Sequence, residues 1–208
     1  MKFWPVYRRA SLLVIVAVLW VACDSGSVDD DFVLKSASDY LPLEVGNYWE
    51  FKTLGAETTE VVQHREVMSA QNVNGRDYYV VVSHFPQNDA KDTVFYRIDD
   101  DWNVYTYHRG MENEQLSYKL LAEDGMTWSF PLSADETMDV TVNVETVETS
   151  LRKIKNCKSY YFDARNWIDE EHTNTLAPGV GFLKEFSNAW GGGAILSKAS
   201  IGGHVIEF

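Results

Sequence analysis

Residues 138–145 read MDVTVNVE, so that Met138, Val140, Val142 and Val144 alternate with Asp139, Thr141, Asn143 and Glu145. A period of two puts the apolar side chains on one face of an extended strand and the polar ones on the other. One face is therefore buried and the other wet. Outward from this run, β-branched and aromatic residues recur in short stretches at 48–53, 59–68, 76–85, 93–98, 104–108, 116–121, 159–163, 181–186 and 195–201. With the first run these make ten predicted strands, and no stretch sustains a 3.6-residue apolar period. Asn74-Gly75 suits a tight hairpin, 99–101 (DDD) and Glu123-Asp124-Gly125 suit longer turns, and Gly191 to Gly193 permit positive φ. The expected fold is all-β, an antiparallel meander of about ten strands. Because Tyr78 to Val82 and Phe95-Tyr96 are apolar on both faces, the sheet is expected to curl into a barrel or half-barrel.

Ahead of the strands, MKFWPVYRR carries Lys2, Arg8 and Arg9 without an acid, and residues 10–21 (ASLLVIVAVLWV) carry no charge. A basic stretch followed by twelve apolar residues is short for a permanent membrane span, which takes about 20, and right for a cleaved signal helix. Val21-Ala22-Cys23 resembles the lipobox of bacterial lipoproteins. The resemblance implies cleavage between Ala22 and Cys23 and a diacylglyceryl group on Cys23, which tethers the mature chain to a membrane. Trp20 stands where the lipobox usually has Leu. The expected organisation is a signal peptide over 1–22, a flexible acidic tether over 23–38 and one β-domain over 39–208. The tether holds three consecutive acids at Asp29 to Asp31, a composition that cannot bury itself. That acidic stretch resembles surface-export signals of Bacteroidetes-type lipoproteins, whereas Asp24 resembles an inner-membrane retention signal. The expected address is the cell envelope, with the outer membrane favoured and its face open.

Losing residues 1–22 removes three positive charges and no negative one, so the net charge of −13 becomes −16. So acidic a chain argues against nucleic acid as a partner and against lying flat on anionic lipid. With Cys23 acylated, Cys157 is the only thiol, no disulfide forms within the chain, and stability comes from the core.

Little in the chain speaks for chemistry. His64, His84, His108, His172 and His204 fall on separate strands or turns without the i, i+4 spacing of a helical zinc site. Asp99, Asp101 and Asn103 open like a calcium loop, but Val104 replaces the required glycine and Gly110 the bidentate glutamate. There is no G-x-S-x-G elbow and no phosphate-binding G-x-x-x-x-G-K-[ST] loop. Cys157 reads as a packed strand thiol. Arg152, Lys153, Lys155 and Lys158 form a basic cluster, either a solvated strand start or a dock for lipid headgroups or an acidic partner. No metal and no cofactor are expected.

Two segments, LPLEVGNYWEF at 41–51 and LAPGVGFLKEF at 176–186, resemble signatures of an uncharacterised family of secreted lipoproteins in Bacteroidetes-type bacteria. The likeness continues through Tyr96-Arg97, Trp102 to Tyr105, Thr127-Trp128 and Asn156-Cys157 with Tyr160 to Phe162. It implies an architecture and an address, with no catalytic residue. More distantly, the strand pattern is similar to the half-barrels of LolA-type lipid carriers. The function expected is a non-enzymatic binding or structural role of a lipid-anchored envelope protein, with an envelope protein or a lipid as partner. Two alternatives stand beside it: a carrier or sensor of an apolar ligand held in the half-barrel, and carbohydrate binding through exposed rings among Trp102, Trp128, Trp167 and Trp190.

Overall fold

The computed structural model describes residues 36–57, 60–111, 113–167 and 169–208. The expected signal peptide, Ala22 and Cys23 of the cleavage and lipidation site, and the tether as far as residue 35 lie outside the described residues. The described chain opens with a 3-10 turn at Ala37–Tyr40 and continues as strands: β1 Tyr48–Thr53, β2 Val61–Val73, β3 Arg76–Phe85, β4 Ala90–Ile98, β5 Asn103–His108, β6 Gln115–Lys119, β7 Thr127–Pro131, β8 Thr137–Glu148, β9 Lys153–Ala164, β10 His172–Ala177, β11 Gly181–Ser187, β12 Gly192–Ile201 and β13 His204–Glu207.

All pairings are antiparallel, in the order β6-β5-β4-β3-β2-β1-β12-β11-β10-β9-β8-β7, with β13 added beside β12. The all-β expectation holds, and the sheet curls until it is nearly closed into a barrel. The two free edges, β6 and β7, meet at a seam that carries no strand pairing. Across it the Trp128 indole nitrogen donates to the Leu116 carbonyl at 2.9 Å.

Ten strands were expected and thirteen are present among the described residues. The additional ones are β7 (TWSFP), β10 (HTNTLA) and β13 (HVIE). Each is short and too polar or too proline-marked to show an alternation, and its neighbours in the sheet fix it as strand. The Asn74-Gly75 hairpin forms as expected, with φ of 54° and 80° at the two turn residues.

The two-faced apolar strands have a different explanation from enclosure alone. Val81 and Tyr96 point into the main core with Trp49, Phe51, Val140, Tyr160 and Phe182. On the opposite face Tyr78, Val80 and Phe95 form a second, smaller core, packed by Val73, Val82 and Tyr107. Glu114, in the β5–β6 loop, fastens its edge by accepting hydrogen bonds from the Tyr78 hydroxyl (2.6 Å), Arg76 Nη1 (2.6 Å) and Arg97 Nη2 (2.5 Å).

Candidate functional site

Strand direction alternates along the sheet, so the loops fall at two ends. The segment 36–47 lies at the end where β1 begins, together with the β2–β3, β4–β5, β6–β7, β8–β9 and β10–β11 turns. That end is sealed. Leu41 and Leu43 are inserted into the core, the Tyr40 hydroxyl donates to the Asn156 carbonyl at 2.7 Å, and Gly179 N donates to the Asp39 carbonyl at 2.9 Å. Lys158 reaches inward beneath them. Its ammonium donates to the carbonyls of Leu120 and Ala122 at 2.7 and 2.6 Å and sits 4.8 Å from the centre of the Tyr40 ring.

Above this plug the interior becomes polar. Arg65 of β2 is buried and its Nη1 lies 2.6 Å from Glu185 Oε1 of β11. The guanidinium stacks 4.4 Å from the Phe182 ring centre, and its Nε donates to Ser83 at 3.1 Å. Burial works against the Arg65 charge, but Glu185 outweighs it and holds the guanidinium protonated. Beside the pair, burial pushes the Tyr96 hydroxyl up to about 12 and the Tyr118 hydroxyl well above its ordinary value.

At the other end the barrel is open. A cavity of about 260 Å³ is lined by apolar Val94, Phe130, Leu132, Met138 and Phe162 interspersed with polar Tyr96, Tyr118, Asn174, Gln115, His108 and His172. Asn174 Nδ2 donates to the Tyr118 hydroxyl at 3.1 Å, and the His172 ring stacks on Phe162 at 4.7 Å between centres. Thr106 and Ser117 satisfy each other at 2.6 Å. The Tyr96 hydroxyl, only 6% of that residue being exposed, has no hydrogen-bond partner among the described residues. Neither has the side-chain amide of Gln63, 4% exposed, on the same inward row of β2 as Arg65. Buried polar groups are almost always paired by protein, water or ligand. A second cavity, of about 540 Å³, adjoins the first through Gln115 and Leu132 at the open end of the β6–β7 seam.

No family model matches the chain, and no curated protein does. Two solved structures are similar to it. One, from Bacteroides fragilis, is described as a "putative exported protein with YmcC-like fold"; it is 12% identical, with a TM-score of 0.43 over 80% of this chain and 98% of that one. The other, from Parabacteroides distasonis, is described as a "putative lipoprotein"; it is 11% identical, with a TM-score of 0.37 over 77% of this chain and 98% of that one.

The four tryptophans singled out from the sequence are not brought together. Trp102 and Trp128 are half-buried against the core near the sealed end. Trp167 and Trp190, 48% and 77% exposed, lie on neighbouring loops at the open end, where Asn188 N donates to the Glu171 carbonyl at 2.9 Å. The basic cluster does not form a single patch either. Lys158 is internal, Lys153 pairs with Glu148 at 3.0 Å, and Arg152 Nε donates to the Glu207 carbonyl at 2.6 Å. Asp99 uses its carboxylate within its own turn, accepting from Asp101 N, Asn103 N and Asn103 Nδ2. Of the five histidines, His108 and His172 converge on the open cavity, although they lie far apart in the chain. Sequence reading missed Arg65 and Glu185 as inward-facing groups. The signal was weak: Gln63, Arg65 and Val67 share one strand face, but their mixed character hides it.

Proposed function

We propose that this chain is a lipid-tethered cell-envelope protein that binds a small ligand in the open half of its half-barrel without transforming it. The observation that carries the reading is the Tyr96 hydroxyl, buried and unpaired among the described residues on the wall of a cavity at the end of the barrel that the 36–47 segment does not cover. A barrel serving as a plain strut gains nothing from a polar, hollow half, whereas a binding protein gains orienting groups on an apolar wall. Membrane attachment through a diacylglyceryl group on Cys23, at the outer membrane, belongs to the same proposal and rests on the lipobox-like Val21-Ala22-Cys23. A second reading, docking of an envelope protein, is favoured by the two exposed indoles Trp167 and Trp190 at the open end.

Native mass spectrometry of the protein purified from its own envelope tests both parts. The expected spectrum shows acyl mass on Cys23 and a small non-covalent ligand that mild activation removes. Acyl mass without any ligand would leave the docking reading in place of the proposal, and a chain without acyl mass would refute the tether.

A further inference from the structure

We infer that the cavity at the open end is a subsite for one neutral sugar ring; this rests on the binding function proposed above and names its ligand. Size gives the first constraint. At about 260 Å³ the space falls just below the roughly 300 to 1,000 Å³ of drug-sized sites and has room for one ring, and anything longer would have to continue past Gln115 and Leu132 into the adjoining cavity of about 540 Å³.

Charge gives the second. Arg65 and Glu185 compensate each other at 2.6 Å, and no Lys, Arg, Asp or Glu lines the cavity itself. With the His108 and His172 imidazoles neutral, a carboxylate or phosphate would enter without a cation to meet it, and a cationic amine without an anion.

Hydrogen-bonding character gives the third. The groups available on the wall are the Tyr96 hydroxyl, the Asn174 carbonyl oxygen left over once its nitrogen binds Tyr118, the Gln115 amide and the His108 imidazole. Together they both donate and accept. Hydroxyl groups are their natural complement, because each hydroxyl also does both. Val94, Phe130, Leu132 and Met138 complete the lining with apolar surface of the kind that packs against the apolar C–H face of a sugar, while the face of Phe162 beside them is already taken by the His172 ring. A ligand with hydroxyls on its edges, an apolar face and no charge satisfies all three constraints at once.

The test is calorimetric titration of the protein purified from its own envelope with D-glucose, N-acetylglucosamine, galacturonate and laurate. Saturable binding of a neutral sugar is expected, weakened about tenfold by Tyr96→Phe, the loss of one buried hydrogen bond. Gln115→Ala, at the half-exposed rim, is expected to weaken it as well, whereas Trp190→Ala on the outer loop leaves it unchanged. Because the Tyr96 hydroxyl has no partner in the protein, Tyr96→Phe should melt no lower than the wild type; Gln115→Ala serves as the reading if it does. Preference for galacturonate or laurate, absence of binding by both neutral sugars, or full affinity in both pocket variants would each overturn the sugar assignment. If native mass spectrometry meanwhile reveals a different small ligand, the binding function stands and only its ligand class falls.

Discussion

The indole nitrogen of Trp49 donates a 2.7 Å hydrogen bond to the carbonyl oxygen of Val180, joining residues 131 positions apart. Both residues are fully buried. Phe182 meets the Trp49 ring edge-on, with centres 5.1 Å apart, and Gly181 between them turns at φ +93°. A Cβ on Gly181 would stand 3.1 Å from both Pro42 Cδ and Trp49 Cζ2. The segments 41–51 and 176–186 are thus halves of one joint, and its tight residue is a glycine for a steric reason.

Gly181→Ala should therefore destabilise the fold by about 1 to 3 kcal/mol from backbone strain, with crowding against Trp49 and Pro42 added. Trp49→Phe should cost at least about 1 to 3 kcal/mol, because the Val180 carbonyl is left buried and unpaired. Urea unfolding measures both. A Gly181→Ala protein as stable as the wild type would show that the joint yields without penalty.

The Arg65–Glu185 pair should behave as a unit. Removing Arg65 strands the partly exposed Glu185 carboxylate, so Arg65→Met alone is expected to cost about 1 to 3 kcal/mol. Arg65→Met combined with Glu185→Leu should recover much of that loss, since an apolar pair needs no compensation. Strictly additive losses in a double-mutant cycle would count against the coupling.

Acid should loosen the outer core. Burial works to raise the Glu114 carboxyl, but hydrogen bonds from Arg97 and Tyr78 and the charges of Arg97 and Arg76 outweigh it and hold it below the ordinary 4.5. A carboxyl depressed in the folded state stabilises above its unfolded pKa, and that contribution is lost as pH falls through the folded value. Glu114→Gln should thus be less stable than the wild type at pH 7, and the gap should narrow below about pH 4.5. Denaturation curves across pH 3 to 7 read this directly; a gap that stays constant would assign the loss to packing instead.

The Cys157 thiol should be silent in the native protein. It is buried, with Sγ 3.4 Å from the Ile154 carbonyl, and burial pushes its pKa up to about 12. At neutral pH it is a thiol and unreactive. A maleimide should label it only after unfolding. Stability from this residue should fall as pH rises above the ordinary thiol value of 9.0 toward 12, because the unfolded chain gives up the proton first. Rapid labelling of folded protein would contradict the packing.

Where a strand alternates cleanly or is rich in aromatics, the sequence was sufficient: 48–53 and 76–85 coincide with β1 and β3, and the Asn74-Gly75 turn lies between β2 and β3. Strand β10 was hidden because His172, Thr173 and Asn174 look like loop residues, and only pairing with Tyr161 and Tyr160 on β9 makes them strand. The cavity was illegible for a related reason. Tyr96, Gln115 and Asn174 come from β4, β6 and β10, and their meeting depends on the curvature of the whole sheet, which no local pattern encodes. The curled sheet foreseen from the two-faced strands is present, but Tyr78, Val80 and Phe95 do not themselves face its interior: they pack with Val73, Val82 and Tyr107 on its outer face.

The position of the seam also orders the folding of the chain. Every strand from β1 to β6, and from β7 to β12, finds a partner next to it in sequence, whereas β1 meets its second neighbour only in β12, with Tyr48 opposite Ser200. The first strand to be synthesised must wait for almost the last. Two ladders of hairpins can zip quickly from local contacts, but closing them spans about 150 residues, and such distant pairings are the slow step of folding. Until then β1 presents an unpaired edge, the kind on which chains aggregate. A ribosome-bound chain is consequently at its most vulnerable before β12 arrives, and the closing ladder between β1 and β12 sets how long that interval lasts.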